Sequence, residues 1–378
     1  MKTSKRWNRL CWLLVCLLVG MPLWAVDPVV SNVRSVQRPG TRLVDITYDV
    51  ADSDSPTVGV AVEVSADSGV TYTVLAESFT GDLGYGIKPG TGKKVVWDAK
   101  ADWPNKYSSK VRFRVLVSDQ WLAPAGMALI PAGPFQMGDD RVAGPVHTVT
   151  VSAFAVDKWE VSLDLWESVR AWGNVHGYDL VAGSGGGAKH PVHTVNWYDV
   201  VKWCNARTEK EWKLPAYYED EAMTQVYRTG DKEPGGVKWE AGYRLPTEAE
   251  WEKAARGGVS GKLYPWGTDV ITTALANYNY SNKLGTMPIG SYSPNGYGLY
   301  DMAGNVYEWN WDWYIDLYSP ISQIDPRGPS STSVRVIRGG AWSDSSWRCG
   351  VALHGLSLLP ETRSNSYGFR CVLPPGQP

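Results

Sequence analysis

Cysteine is scarce in this chain, and so is any block of like charge. Five cysteines occur in 378 residues, and Cys11 and Cys16 both fall in the N-terminal leader. Cys204, Cys349 and Cys371 remain, too few for a disulfide-built scaffold. Their odd number suggests one disulfide and one free thiol in an oxidising compartment. The formal net charge is −2, with no basic run, which argues against nucleic acid or an anionic membrane surface as a partner. Beyond the leader no apolar stretch is long enough to span a bilayer. Among five histidines, His190 and His193 look like a metal pair, but no third His, Cys or carboxylate cluster accompanies them. No nucleophile–His–acid arrangement is visible. The glycine-rich run from Gly183 to Ala188 follows no clear strand, so it reads as a flexible loop rather than a dinucleotide site.

The leader itself has a recognisable build. Lys2, Lys5, Arg6 and Arg9 precede an apolar run from Leu10 to Trp24, and polar sequence begins after Ala25. Residues 1–25 are therefore expected to be a secretory signal peptide, cleaved near Ala25 or Val26. Val15 precedes Cys16, which does not favour a lipoprotein anchor. The mature protein is expected to be exported to a periplasmic, cell-surface or extracellular site.

Glycine, proline and tryptophan are abundant, at 39, 24 and 20 residues, and point to two loop-rich domains. Residues 26–119 read as all-β. Alternation is clear over Leu43–Val50, Val58–Val64 and Val111–Val117, with turn signals at Pro39-Gly40, Asp52–Pro56 and Pro89–Gly92. Such strands suit a small sandwich of immunoglobulin or fibronectin type. No cluster in it suggests chemistry, so a spacer or adhesion module is expected. A linker at 120–126 leads to a second domain at 127–375 with three convincing helices. One follows Ser162 through Trp172. Another follows Asn196 and turns Trp197, Val200, Val201 and Cys204 to one face. The third starts at Thr247, whose spacing to Glu250 is that of a capping box. The remainder is turn-rich, and aromatic packing is expected to hold it. The fold class is α+β.

Seven blocks carry a family signature. They are Met127–Gly138, Asp157–Ser162, His190–Trp197, Tyr243–Glu252, Tyr264–Gly267, Asn295–Trp309 and Gly368–Arg370. In this order they resemble the formylglycine-generating enzyme, or sulfatase-modifying factor, family. The resemblance implies a C-type-lectin-like core with few regular elements. It also implies a disulfide between Cys204 and Cys371, closing a loop whose bridging would stabilise by about 3–5 kcal/mol in the chain-entropy model. The family's further bridge would use the positions of Ala255 and His354, and both partners are absent together. The family's calcium loop falls on Asp301, Gly304, Val306 and Glu308, where hard oxygen donors on a flexible loop suit Ca²⁺. A second calcium site would begin at Asn277 and Tyr278.

The family's oxidase chemistry needs two cysteines to hold Cu(I). Cys349 falls on the second position, but Asp344 stands on the first. A carboxylate is a hard ligand and a poor substitute for sulfur on copper(I). Ala341, Arg348 and Ser366 also depart from the pattern, while Glu160 matches an active-site glutamate and Trp309 is retained. Residues 341–367 instead offer a mixture of Trp342, Asp344, Trp347, Arg348, Leu353, His354, Leu356 and Ser366 with short polar groups. That mixture suits recognition of a protein or glycan surface and is similar to the varied face of retroelement-diversified binding proteins. The leading expectation is a non-catalytic ligand- or surface-binding module held by Ca²⁺ and one disulfide. The alternative is a copper-dependent oxidase acting on a sulfatase cysteine, and a third option is a degenerate structural domain.

Overall fold

The computed structural model describes residues 27–375, apart from 54, 75, 77, 119–122, 282, 355 and 356. The expected signal peptide, part of the expected linker and Leu356 lie outside the described residues.

Seven strands occupy the first part: β1 (Val29–Gln37), β2 (Leu43–Ala51), β3 (Val58–Ser65), β4 (Phe79–Gly81), β5 (Gly84–Ile87), β6 (Gly90–Asp98) and β7 (Arg112–Ser118). They form two sheets, ordered β1-β2-β6-β4 and β5-β3-β7, with every pairing antiparallel. Side chains alternate across a strand, so β2 sends Ile46, Tyr48 and Val50 inward and β3 sends Val58, Val60, Val62 and Val64. These close one apolar cluster around Trp97, whose indole donates to Asp102 at 2.8 Å.

The larger part is a loop-rich assembly of short sheets and three helices: α1 (Leu163–Asn174), α2 (Trp197–Lys210) and α3 (Glu248–Ala255). The Thr247–Glu250 capping box forms as its spacing indicates. Asn196 makes a second box with Asp199, whereas Ser162 ahead of α1 makes no side-chain cap bond. Trp166 of α1 and Trp203 of α2 stack with ring centroids 5.6 Å apart, and Phe369 meets both edge-on. Offset and edge-on aromatic pairs of this kind contribute beyond their buried area.

The strands that frame the candidate site are β8 (Tyr307–Trp313), β9 (Arg335–Arg338), β10 (Ser357–Leu358) and β11 (Tyr367–Gly368), joined in the order β10-β9-β8-β11. Buried carboxylate–guanidinium pairs knit this part of the fold together, one of them from the sheet itself. Arg338 reaches Glu252 of α3 at 2.5 Å, Arg244 reaches Glu250 at 2.7 Å, and Arg207 of α2 reaches Asp157 at 2.8 Å. Among the described residues no helix is long and apolar enough to cross a membrane.

Candidate functional site

β9 ends at Arg338, and Gly339 and Gly340 follow with φ of +96° and +76°. The chain doubles back here so closely that a Cβ on Gly340 would lie 2.8 Å from Cys349 Sγ and 2.9 Å from the Arg348 carbonyl. Glycine is therefore required by both conformation and space. The turn that follows is closed by Asp344, whose carboxylate accepts the Ala341 N–H at 3.1 Å. The Asp344 carbonyl accepts the Asn279 N–H at 2.9 Å. Burial raises the Asp344 carboxyl above its ordinary range, partly opposed by the Tyr307 hydroxyl and the Arg348 charge. Arg348 Nε lies 3.5 Å from Asp344 Oδ1.

Cys349 ends a 3₁₀ turn, Ser346–Cys349, and is fully buried in a cluster with Tyr264, Ile271, Ala276, Tyr278 and Ala303. Burial, with a further contribution from the Asp344 charge, pushes its thiol up to about 12. At neutral pH it is a thiol, whereas a thiolate is the metal ligand and the nucleophile. The residues around the first cysteine position therefore do not fit copper(I). Asp344 supplies hard oxygen already committed to the turn, and Cys349 offers one protonated, enclosed sulfur.

Deeper in the fold three carboxylates surround one guanidinium. Glu308 is fully buried and accepts from Arg370 Nε and NH2 at 2.9 and 2.6 Å. It also accepts the Trp251 indole at 2.7 Å. Asp301 accepts the Gly290 N–H at 2.7 Å. Glu160 accepts Asn305 Nδ2 at 2.6 Å and the Val306 N–H at 3.2 Å. Burial, and then repulsion from Asp301 and Glu308, raises Glu160 well above the usual carboxylate range. Burial lifts Asp301 to about 6. Glu160 thus belongs with Asp301 and Glu308, and its described hydrogen bonds do not run to the Cys349 turn.

The calcium residues can be placed from the same contacts. Gly304 stands at φ +85°, its N–H donating to the Gly339 carbonyl at 2.8 Å, and Val306 enters β8 beside it. Asp301 and Glu308 offer the oxygen donors a hard cation takes, with the Arg370 charge among them. Glu308, however, already shares both oxygens with Arg370 and Trp251. Among the described residues no three His, Cys, Asp or Glu side chains gather closely enough to hold one ion. Asn277 turns inward, donating to the Gly285 carbonyl at 3.0 Å and accepting from the Ser281 hydroxyl at 2.7 Å. Tyr278 packs against Cys349. Cys204 and Cys371 are brought together, their sulfurs 3.6 Å apart.

The expected ligand face is only partly assembled. Trp347 is 54% exposed, Trp342, Asp344, Arg348 and Ser366 are half-buried, and the Trp342 indole donates to the Asn365 carbonyl at 3.3 Å. His354 must be corrected. Its ring lies beneath the surface, where Nδ1 meets Glu248 at 2.8 Å, Nε2 meets the Ile315 carbonyl, and Tyr314 and Tyr318 flank it. Leu353 is likewise buried, because residues 351–354 run over Arg338, which bonds the carbonyls of Val351 and Leu353. A segment that sequence reasoning missed joins the face instead. The Asn279–Asp344 hydrogen bond ties the Asn279–Ser281 turn to it, with Tyr280 67% exposed; the sequence marks Asn277 and Tyr278 there only as a second calcium site. His190 and His193 hydrogen-bond the Thr286 and Thr194 hydroxyls through Nδ1.

Comparison with known proteins agrees with this architecture. Residues 112–374 match the family described as the sulfatase-modifying factor enzyme 1-like domain. The formylglycine-generating enzyme of Thermomonospora curvata is 34% identical over 285 residues, covering 66% of this chain and 94% of the relative. That of Streptomyces coelicolor is 33% identical over 283 residues, covering 65% and 88%. The solved structure of Treponema denticola variable protein 1 superposes with a TM-score of 0.57 at 32% identity, covering 66% of this chain and 95% of that one. The fold is accordingly the loop-rich α+β, C-type-lectin-like architecture of that group.

Proposed function

We propose that this chain, which belongs to the sulfatase-modifying factor family of formylglycine-generating-enzyme-like proteins, is a recognition module rather than an oxidase. One observation carries the reading: Asp344 closes the turn with the Ala341 N–H at 3.1 Å, while Cys349 is sealed beneath it with its thiol pushed up to about 12. A copper site of two thiolates has no counterpart in that arrangement. Sulfatase-cysteine oxidation would need a second soft ligand and an opened Cys349. The surface carrying Trp342, Trp347 and Arg348 would take a ligand. The all-β segment ahead of it would act as a spacer or adhesion module on an exported protein. Ca²⁺ at Asp301 and its neighbours, with a Cys204–Cys371 disulfide, would hold the loops.

Copper loading of the reduced mature protein tests this, with Cys349→Ser beside it and oxygen uptake followed in the presence of a thiol. The expected result is neither tight copper nor uptake in either protein. About one tightly held copper per chain, lost with Cys349→Ser and accompanied by oxygen uptake, would replace the recognition reading with the oxidase one.

A further inference from the structure

Three loops are laced into one surface. The Asn279 N–H donates to the Asp344 carbonyl at 2.9 Å, the Tyr264 hydroxyl donates to the Ser346 carbonyl at 3.2 Å, and Trp342 bonds the Asn365 carbonyl. What this surface exposes is chemically narrow. Leu353 and His354 are withdrawn, which leaves Trp347, Tyr280 and part of Trp342 with the hydroxyl and amide groups of Ser343 and Asn365. Among them sits Arg348, its side chain 38% exposed. Its guanidinium carbon lies 4.9 Å from the centre of the Trp347 ring. Its polar contacts, to Asp344 Oδ1 and the Tyr307 hydroxyl, are both 3.5 Å long. Among the described residues these are the polar contacts of its guanidinium, and both sit at the outer limit for a hydrogen bond.

We propose that this face binds an acidic glycan, a polysaccharide whose sugar rings carry carboxylate groups. The inference rests on the recognition reading above. A pyranose ring presents an apolar C–H face that lies flat on an indole or phenol, and its edge hydroxyls suit Ser343 and Asn365. A ring carboxylate matches the planar, bidentate geometry of Arg348. A folded protein partner would instead call for a packed apolar centre; with Leu353 buried, the aliphatic side chain that 341–367 leaves exposed among the described residues is Leu359. An acidic peptide would satisfy Arg348 but would bring no rigid ring faces for the aromatic side chains.

Affinity electrophoresis of the full mature chain tests the assignment, using gels containing polygalacturonate, alginate or the methyl ester of polygalacturonate. The ester keeps the sugar backbone and removes the charge. Retardation is expected with at least one acidic polymer and at least about tenfold weaker with the ester, the scale set by loss of one well-placed anchor. Trp347→Ala should abolish it, and Arg348→Gln should make ester and acid equivalent. Melting temperatures of both variants should match the parent, because both side chains are at the surface. Equal retardation by acid and ester, full binding by Arg348→Gln, poly-glutamate competing as well as polygalacturonate, or no retardation at all would each overturn the proposal. Copper-dependent oxygen uptake measured on the same preparation separates the two readings. No retardation without uptake sinks the glycan alone, whereas Cys349-dependent uptake sinks recognition itself.

Discussion

Arg370 and Glu308 form a fully enclosed ion pair in which every guanidinium nitrogen is used. Nε and NH2 grip the carboxylate at 2.9 and 2.6 Å. NH1 donates to the carbonyls of Asp157 and Lys158, and NH2 also to that of Tyr300. The pair therefore ties β8, the 157–160 segment and the chain's last block to one point beneath the candidate face. Removing one member of such a pair strands the other charge in a medium that cannot solvate it.

Arg370→Met is accordingly expected to destabilise the protein by about 3–5 kcal/mol. Chemical denaturation read by tryptophan fluorescence would measure it. A double variant, Arg370→Met with Glu308→Leu, should recover part of the loss, because the stranded carboxylate is then gone. No recovery would mean that the pair acts through its carbonyl contacts rather than its charge.

Calcium offers a second test. The expected calcium loop is Asp301, Gly304, Val306 and Glu308, and a cation bound only by the folded state stabilises by mass action, about 2.7 kcal/mol at a hundredfold excess over its dissociation constant. Adding Ca²⁺ after chelator treatment should raise the melting temperature, and Asp301→Ala should remove that rise. Identical melting curves with calcium and with chelator would remove Ca²⁺ from the account of this loop.

Local features were the easier part to read from sequence. The Thr247–Glu250 box depends on residues three apart, and it forms. The Asn196 box uses Asp199 at the position where glutamate or glutamine is the usual signal, so it went unread. The site was less legible because distant residues decide it. Cys349 is sealed by Tyr264, Tyr278 and Ala303, and His354 is drawn inward by Glu248, 106 positions away. The Asn279–Ser281 turn is tied to the Asp344 turn by a backbone hydrogen bond, and such a bond leaves no trace in side-chain pattern. Glu308 and Arg370 were both visible as family residues, but their pairing spans 62 positions and was not.

Asp312 should make stability depend on pH. Its carboxylate accepts the Glu248 N–H at 2.9 Å, yet burial, with repulsion from Glu248, raises its carboxyl well above the ordinary range. A carboxyl with a raised folded-state pKa binds its proton more tightly when folded. Its contribution is therefore present in acid and is lost as pH climbs from the unfolded value, about 4, toward the folded one. Asp312→Asn keeps an oxygen for Glu248 and removes the charge. The variant should gain stability over the parent as pH rises above about 4, with a flatter profile of melting temperature against pH. A parallel profile would show that the Asp312 carboxyl titrates alike in the folded and unfolded states.

The three cysteines of the chain's body should separate into two kinds of thiol. Cys204 and Cys371 hold their sulfurs 3.6 Å apart, close enough for a small movement to bond them, and Cys349 has no sulfur partner among the described residues. Protein matured in an oxidising compartment should show no titratable thiol while folded, because Cys349 is enclosed and protonated. It should show one in denaturant, and three in denaturant after reduction. Reduction should also lower stability by about 3–5 kcal/mol if the bridge restrains the unfolded chain as the entropy argument requires. Two variants assign the groups: Cys349→Ser should abolish the single thiol seen in denaturant, and Cys371→Ser should expose Cys204 as a second one. Three thiols in denaturant without reduction would mean that the neighbouring sulfurs remain unbonded, and the loops of this domain would then depend on packing and buried ion pairs alone.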